Sequence, residues 1–511
     1  MAVASPSTSR NLKPSTGKTE SALILIYWAV RLHNILALPL FLDEGFHIYL
    51  AQRAWLIKYL FEGTADGRLF NVWWYAVFWP FANGDFVARA GSLLLGTAGL
   101  AAVIAAGRAL FAREVSWAAA AIYVVLPPAF FFERILLADS LTAPLVALVL
   151  WSSIRAVRSR EGASRARFWI VLTAGILCAV LLTKISNLVF LVVPAVAAVL
   201  ATRSPLRALR RAGAVYVLTA LVLVPLVTFL VFRLHSSLGL GIARNKLTPA
   251  EMPGHVLANL QTLSTYAAAY LGQPLAWLIA PVSIVAALTS RRSGTMVALT
   301  VGIPFAVITT ITRPIFYESR FFAPLMPGLA LLLAAGGWGI GRAVAVRWGR
   351  RAAAVALAAL GLLAGWHALA FIWQGWTTPS ALPLPAGDRR QYFEEFSSGY
   401  GWPETRDFFR ERSRTEAVAA YVLDQGGWQR LETYLYKDQS IIVRRTEPLN
   451  LAAALRDSLK ARATYIVVDE PFLDAQLADL KKEIFVEQVI RFDKPGGRAA
   501  VVVYRVTGVA Q

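Results

Sequence analysis

Cysteine is almost absent: Cys178 stands alone in 511 residues, inside an apolar block, so no disulfide can form within one chain. Histidine is nearly as scarce. His33, His47, His235, His255 and His367 show no metal-ligand spacing, and His47, close to Asp43, reads as an interfacial residue. Charge is also short, at 16% of residues against 57% hydrophobic, with a mean hydropathy of +0.53. A wholly soluble protein is excluded, because the apolar residues come in blocks long enough to cross a bilayer. Internal repeats are missing, and no signal-cleavage pattern follows the polar residues 1–20, which read as a disordered cytoplasmic tail before a retained first span. The net charge of +20 falls in short basic clusters between apolar blocks. That is the positive-inside pattern of a membrane protein and not a nucleic-acid surface.

The hydropathy pattern predicts a polytopic α-helical membrane protein with about eleven transmembrane helices. They fall near 21–41, 86–110, 115–132, 138–154, 168–183, 185–201, 212–232, 264–289, 295–312, 321–341 and 352–373. Arg155 to Arg167, Arg203 to Arg211 and Arg342 to Arg351 mark the cytoplasmic loops. The N-terminus is then cytoplasmic, and the soluble part beyond a Pro-rich linker at 377–387 is extracytoplasmic, with the whole chain in the plasma membrane. Residues 388–511 read as an α/β domain. Its helices are expected near 413–425, 449–461 and 471–483, and its strands at SIIVRR, ATYIVVDE, IFVEQVIRF and AAVVVYRV. Basic flanks on both sides of 168–201 require two crossings there. Each half is then about 16 residues, near 24 Å, short of a roughly 30 Å core. The turn LLTKISN therefore draws Lys184 into the bundle, where it faces a ligand anion, or else snorkels or partners a nearby carboxylate.

The acids of interest gather on the expected outer side. Asp43 and Glu44 leave the first span and open an outer loop over 43–85, whose first part has the spacing of an amphipathic interfacial helix carrying Gln52, Arg53 and Lys58. Two adjacent carboxylates at that lip are costly unless they face water, a cation or a substrate. Trp73, Trp74 and Trp79 suit an aromatic belt. Glu133, Arg134 and Asp139 sit at the junction of the third and fourth spans, where Glu133–Arg134 can end a helix and Asp139-Ser140 can cap the next. Arg313, Tyr317, Glu318 and Arg320 precede the tenth span. Guanidinium groups among aromatics there suit a lipid phosphate or anionic headgroups. Arg31 and His33 interrupt the first span, at its outer end or facing the bundle. Tyr392, the GYGW stretch at 399–402 and Asp469-Glu470 read as surface packing before substrate contact.

Four segments carry a family resemblance: LDEGFHIYLAQ, GDFVARAGSLLLG, ERILLADSLTAPLVAL and YESRFFAPLMPGLALLLAAG. In order, spacing and side they resemble the GT-C glycosyltransferases, in the group with protein O-mannosyltransferases and bacterial aminoarabinose transferases (families 39 and 83). LLTKISN is similar to the lysine-bearing turn found there. The likeness covers residues 20–375. It implies a sugar moved from a polyprenyl-phosphate donor to an acceptor hydroxyl on protein, lipid or polysaccharide, with inversion. It makes Asp43 the catalytic carboxylate, with Glu44 beside it and Asp139 as a second acid. A phosphate leaving group needs charge stabilisation, which Lys184, Arg134 or Arg320 would supply, while Arg89 orients the acids or binds phosphate. Some relatives hold a divalent metal at the acids, so Asp43, Glu44 and Asp139 are candidate ligands for Mg²⁺ or Mn²⁺. GRLFNVWW at 67–74 departs from a Lys-Pro-Pro-type segment of many relatives, with Arg68 as the substitute phosphate contact. A transporter or flippase for a lipid-linked sugar is the main rival. Acids at the outer surface and the lack of a repeat weigh against it. A non-catalytic assembly partner with the same fold is a third reading.

Overall fold

The computed structural model describes residues 17–56, 59–61, 68–159, 163–202, 204–234, 250–314, 317–445, 448–471 and 474–510. Most of the expected N-terminal tail (1–16) and Lys58 lie outside them. In hydrocarbon every backbone N–H and C=O must be satisfied within its own segment, so the apolar runs fold as helices. These are α1 (Lys18–Leu32), α2 (Leu42–Ala54), α3 (Leu69–Val77), α4 (Gly84–Leu110), α5 (Arg113–Val125), α6 (Pro127–Glu133) and α7 (Ala138–Arg158). They continue as α8 (Ala163–Thr183), α9 (Val192–Leu200), α10 (Pro205–Leu234), α11 (Met252–Leu271), α12 (Gln273–Thr289), α13 (Arg291–Ile311) and α14 (Met326–Thr377).

Among the described residues, six helices are long and apolar enough to cross a membrane: α4, α7, α8, α10, α13 and α14. The number rises to eight if α5–α6, bent by 58°, and α11–α12, bent by 112°, each count as one broken span. The expected eleven are therefore not reproduced, for local reasons. The first apolar run stops at Leu32 after 15 residues. The run over 264–289 breaks at Gly272, whose φ of +78° is left-handed, with Pro274 just inside the next helix. The last two expected spans are limbs of α14 on either side of Gly349, at φ +88°. The first half of the 168–201 pair is longer than expected, because α8 starts at 163 and runs 21 residues. Many apolar side chains on these helices are exposed, Leu221, Val224, Phe232, Trp277, Leu362 and Trp366 among them. That is the surface of a lipid-facing bundle.

Inside the bundle the polar groups are paired. Arg31 faces inward and is wholly buried. Its Nε donates to Glu133 Oε2 at 2.9 Å, and Tyr123 donates to the same carboxylate. Glu133 thus pairs with Arg31 and not with its neighbour Arg134.

The C-terminal part follows two short turns: α15 (Ala386–Arg389), a wider π-type turn at Arg390–Glu394, and then α16 (Trp402–Arg412). Beyond lie β1 (Val418–Val422), α17 (Gln425–Leu435), β2 (Ile441–Arg445), α18 (Pro448–Leu459), β3 (Ala463–Glu470), α19 (Asp474–Leu480), β4 (Ile484–Asp493) and β5 (Ala500–Val509). The sheet order is β2-β1-β3-β5-β4. β1 is parallel to β2 and β3, and β5 is antiparallel to β3 and β4. The helix expected over 413–425 is therefore corrected to strand β1. All five of its residues are buried, and a strand covered on both faces loses the alternation that marks half-buried strands.

This domain sits directly on α2. Leu42 N–H donates to Ser397 O at 3.0 Å, and the Tyr434 hydroxyl accepts from Leu40 N–H at 2.9 Å. A Cβ on Gly45 would lie 2.6 Å from Arg430 Cγ, so glycine is what allows α17 to approach α2. As a result α2 is enclosed. Glu44, His47, Ile48 and Ala51 are all fully buried, so it is not the half-exposed interfacial helix that its spacing predicted.

Candidate active site

Leu42 opens α2, which puts Asp43 and Glu44 in its first turn, where the helix dipole favours negative charge. Their environments then diverge. Glu44 is wholly buried, and both of its oxygens are saturated. Oε1 accepts from Arg89 Nε and Leu136 N–H, each at 2.9 Å. Oε2 accepts from Arg89 Nη2 at 2.7 Å and from Phe41 N–H at 2.9 Å, the return half of a capping box. A carboxylate with four acceptor sites filled has nothing left for a reacting group. Glu44 braces α2 against α4 and the loop before α7.

Asp43 is turned the other way, its side chain one-fifth exposed. Its Oδ2 lies 3.1 Å from Arg320 Nη1 and 3.5 Å from Arg68 Nη1. Burial pushes this carboxyl up, but Arg68 and Arg320 outweigh it and hold the carboxyl at about 2. Arg320 also pairs with Glu318. Asp139 and Lys184 form a second pair at 3.2 Å, and so Asp139 does not cap α7. Lys184 Nζ sits 4.4 Å from the centre of the Phe321 ring and Arg320 Cζ 6.0 Å from it, so that ring bridges the two ion pairs. Five of the expected residues are thus brought together: Asp43, Arg68, Asp139, Lys184 and Arg320.

Three are not. Arg89 is spent on Glu44 and on the carbonyls of Ile35 and Leu38, which matches the orienting role and not phosphate binding. Arg134 donates to the carbonyls of His33, Asn34 and Gly375, tying the end of α1 to α14, and is corrected in the same way. Glu44, as above, supports Asp43 from behind. The metal expectation also fails a fit test. Among the described residues no three His, Cys, Asp or Glu side chains gather. Asp43 and Asp139 are already matched by cations, and the oxygens of Glu44 are filled. These residues do not form a Mg²⁺ or Mn²⁺ site.

Three contributors were misread or passed over. His47 is buried beside the site. Its Nδ1 donates to Leu136 O at 2.7 Å and its Nε2 accepts from Arg68 at 3.2 Å, so it aims the Arg68 guanidinium. Burial and then Arg68 hold its imidazole down to about 4, which keeps it neutral for that purpose. Asp388 and Tyr392 come from the far side of the linker. Asp388 accepts from Tyr270 at 2.6 Å and from Ser319, the residue next to Arg320. Tyr392 packs against Phe41, Phe131 and Phe132. Only the four-residue spacing of Asp388 and Tyr392, on one side of a turn, was visible in the sequence.

No family model and no curated protein matches this sequence. Solved structures do. ArnT from Cupriavidus metallidurans in the apo state superposes with a TM-score of 0.59 at 15% identity, covering 95% of this chain and 97% of that one. ArnT of that organism bound to undecaprenyl phosphate gives 0.58 at 16%, with the same coverage. The archaeal oligosaccharyltransferase AglB from Archaeoglobus fulgidus, in complex with an inhibitory peptide and a dolichol-phosphate, gives 0.50 at 11%, covering 88% and 69%. The chain has the GT-C fold. The match runs through the C-terminal sheet as well as the bundle, since the ArnT likeness spans nearly the full length of both chains. Asp43 combines partial exposure with two arginine neighbours, at the junction of the bundle and the C-terminal domain.

Proposed function

We propose that this protein is an integral membrane glycosyltransferase that moves a sugar from a polyprenyl-phosphate donor to an acceptor hydroxyl, with inversion. The reaction takes place on the side of the C-terminal domain, which the basic loops assign to the extracytoplasmic face of the plasma membrane. One observation carries the reading: Asp43 lies between Arg68 and Arg320, with Asp139–Lys184 beside them. Guanidinium groups suit a phosphate, and a carboxylate between them suits the acceptor proton. Solved structures of similar fold that hold undecaprenyl phosphate and a dolichol-phosphate support a lipid-phosphate donor.

At rest the two arginines make Asp43 a weak base. A donor phosphate competes for both, and as they turn to it the carboxylate regains basicity. The acceptor oxygen then attacks the anomeric carbon from the face opposite the phosphate. Asp43 takes the acceptor proton, the sugar–phosphate C–O bond breaks, and the electron pair leaves on the phosphate. Arg68, Arg320 and Lys184 stabilise the charge that develops there. His47 and Glu44 orient Arg68 and Asp43 and touch no substrate.

The test is sugar release from radiolabelled polyprenyl-phosphate donors by purified full-length protein, compared with Asp43→Asn. Turnover is expected to drop by roughly a thousandfold or more, in the range of losing a catalytic base with its electrostatic contribution, while donor binding persists. Movement of intact lipid-linked sugar across liposomes without transfer would instead establish the flippase.

A further inference from the structure

The Tyr392 hydroxyl is the unexplained group at this site. The side chain is 2% exposed and its oxygen is buried with no hydrogen-bond partner. Its ring lies 4.8 Å from Phe41, two residues before Asp43, and 5.2 Å from Phe131. A phenylalanine would fill that ring site equally well, and an unsatisfied buried hydroxyl is costly to retain. The charges acting on the hydroxyl are Arg320 first, then Asp388, Glu318 and Asp139, which are members of the site or its supports. Burial pushes the phenol well above its usual value, so the group is a hydrogen-bond donor at any working pH.

Its placement is built, not incidental. Asp388 fixes the preceding turn through Tyr270 and Ser319. On the other side, Lys494 Nζ donates to Glu395 O at 3.1 Å and to Asp469 Oδ2 at 2.6 Å, and Arg430 donates to Ser398 O at 2.6 Å. The segment carrying Tyr392 is therefore clamped at both ends. An anionic oxygen placed there would satisfy this donor and the Arg320 guanidinium together.

We infer that Tyr392, supplied by the C-terminal domain, donates its hydroxyl to a phosphate oxygen of the lipid-linked donor when Arg320 turns from Asp43 to that phosphate. This rests on the glycosyltransferase reading and gives the C-terminal domain a binding residue in the site.

The experiment measures binding of undecaprenyl phosphate and of undecaprenol to full-length protein, wild type and Tyr392→Phe, with the melting temperature of each. The wild type is expected to prefer the phosphate. Tyr392→Phe is expected to lose that preference by roughly tenfold or more, as for a hydrogen bond to a charged group, with undecaprenol binding unchanged and the melting temperature unchanged or raised. An unchanged preference in the variant overturns the inference and leaves the hydroxyl to a trapped water, while the glycosyltransferase reading stands. Equal loss of both lipids with a lowered melting temperature overturns it in favour of a packing role. If the wild type itself does not distinguish the phosphate from the alcohol, the functional reading falls and the inference falls with it.

Discussion

Glu44 accepts from the Arg89 guanidinium and from two backbone N–H groups, so Glu44→Gln leaves a buried arginine without its counter-charge. Breaking one partner of a buried pair costs about 3–5 kcal/mol, against about 0–1 kcal/mol for an exposed one. Glu44→Gln is therefore expected to lower the melting temperature of the purified protein markedly, with activity per folded molecule reduced less than in Asp43→Asn. A variant that melts like wild type but has lost all turnover would make Glu44 a reacting group after all. Adjacency in the sequence identified the acidic pair but not the division of labour. That division comes from Arg89 on one side and from Arg68 and Arg320 on the other, and Arg320 lies 277 positions away from Asp43.

At the scale of elements, α2 and α17 meet through Gly45. Gly45→Val would drive a Cβ to 2.6 Å from Arg430 Cγ, with Arg430 backbone atoms at 3.2 Å. Arg430 cannot yield, because it is buried, stacked 4.7 Å over Trp402 and bonded to the carbonyls of Gly426 and Ser398. Overpacking of this kind costs about 1–3 kcal/mol. The domain is expected to loosen from the bundle, seen as faster limited proteolysis in the linker around 378–385 and as reduced donor turnover. Linker cleavage at the wild-type rate would show that the contact has slack. This interface is where the sequence was least legible. The bundle helices announced themselves as apolar runs, while LLTKISN left Lys184 open between a ligand anion and a carboxylate, and Asp139 pairs with it. The burial of α2 depended on a domain that begins more than 300 residues later. β1 was misread because its alanines and valines, covered on both faces, carry no strand period.

Across the whole molecule, Asp388 couples the docking of the C-terminal domain to pH. Burial raises its carboxyl from 3.8 to about 6, against the lowering effect of Ser319 and Tyr270, with Glu318 raising it further and Arg320 lowering it. A carboxyl raised on folding favours the protonated folded state. Its contribution is complete below the unfolded value near 4 and is lost as pH rises through about 6. Two pKa units correspond to about 3 kcal/mol at most, some of it recovered by relaxation. Asp469 is raised to about 6 in the same domain and shifts stability in the same direction, so wild type alone cannot isolate Asp388. The comparison with Asp388→Asn does, because Asp469 is common to both and Asn still accepts from Ser319 and Tyr270 through its carbonyl. The melting temperature of wild type relative to Asp388→Asn is expected to fall steadily between pH 4 and pH 7. Since Ser319 adjoins Arg320 and Asp388 precedes Tyr392 by one turn, the same rise in pH should also loosen the segment that completes the site. A difference that stays constant over this range would mean that Asp388 titrates alike in the folded and unfolded chain, and that docking does not depend on its proton.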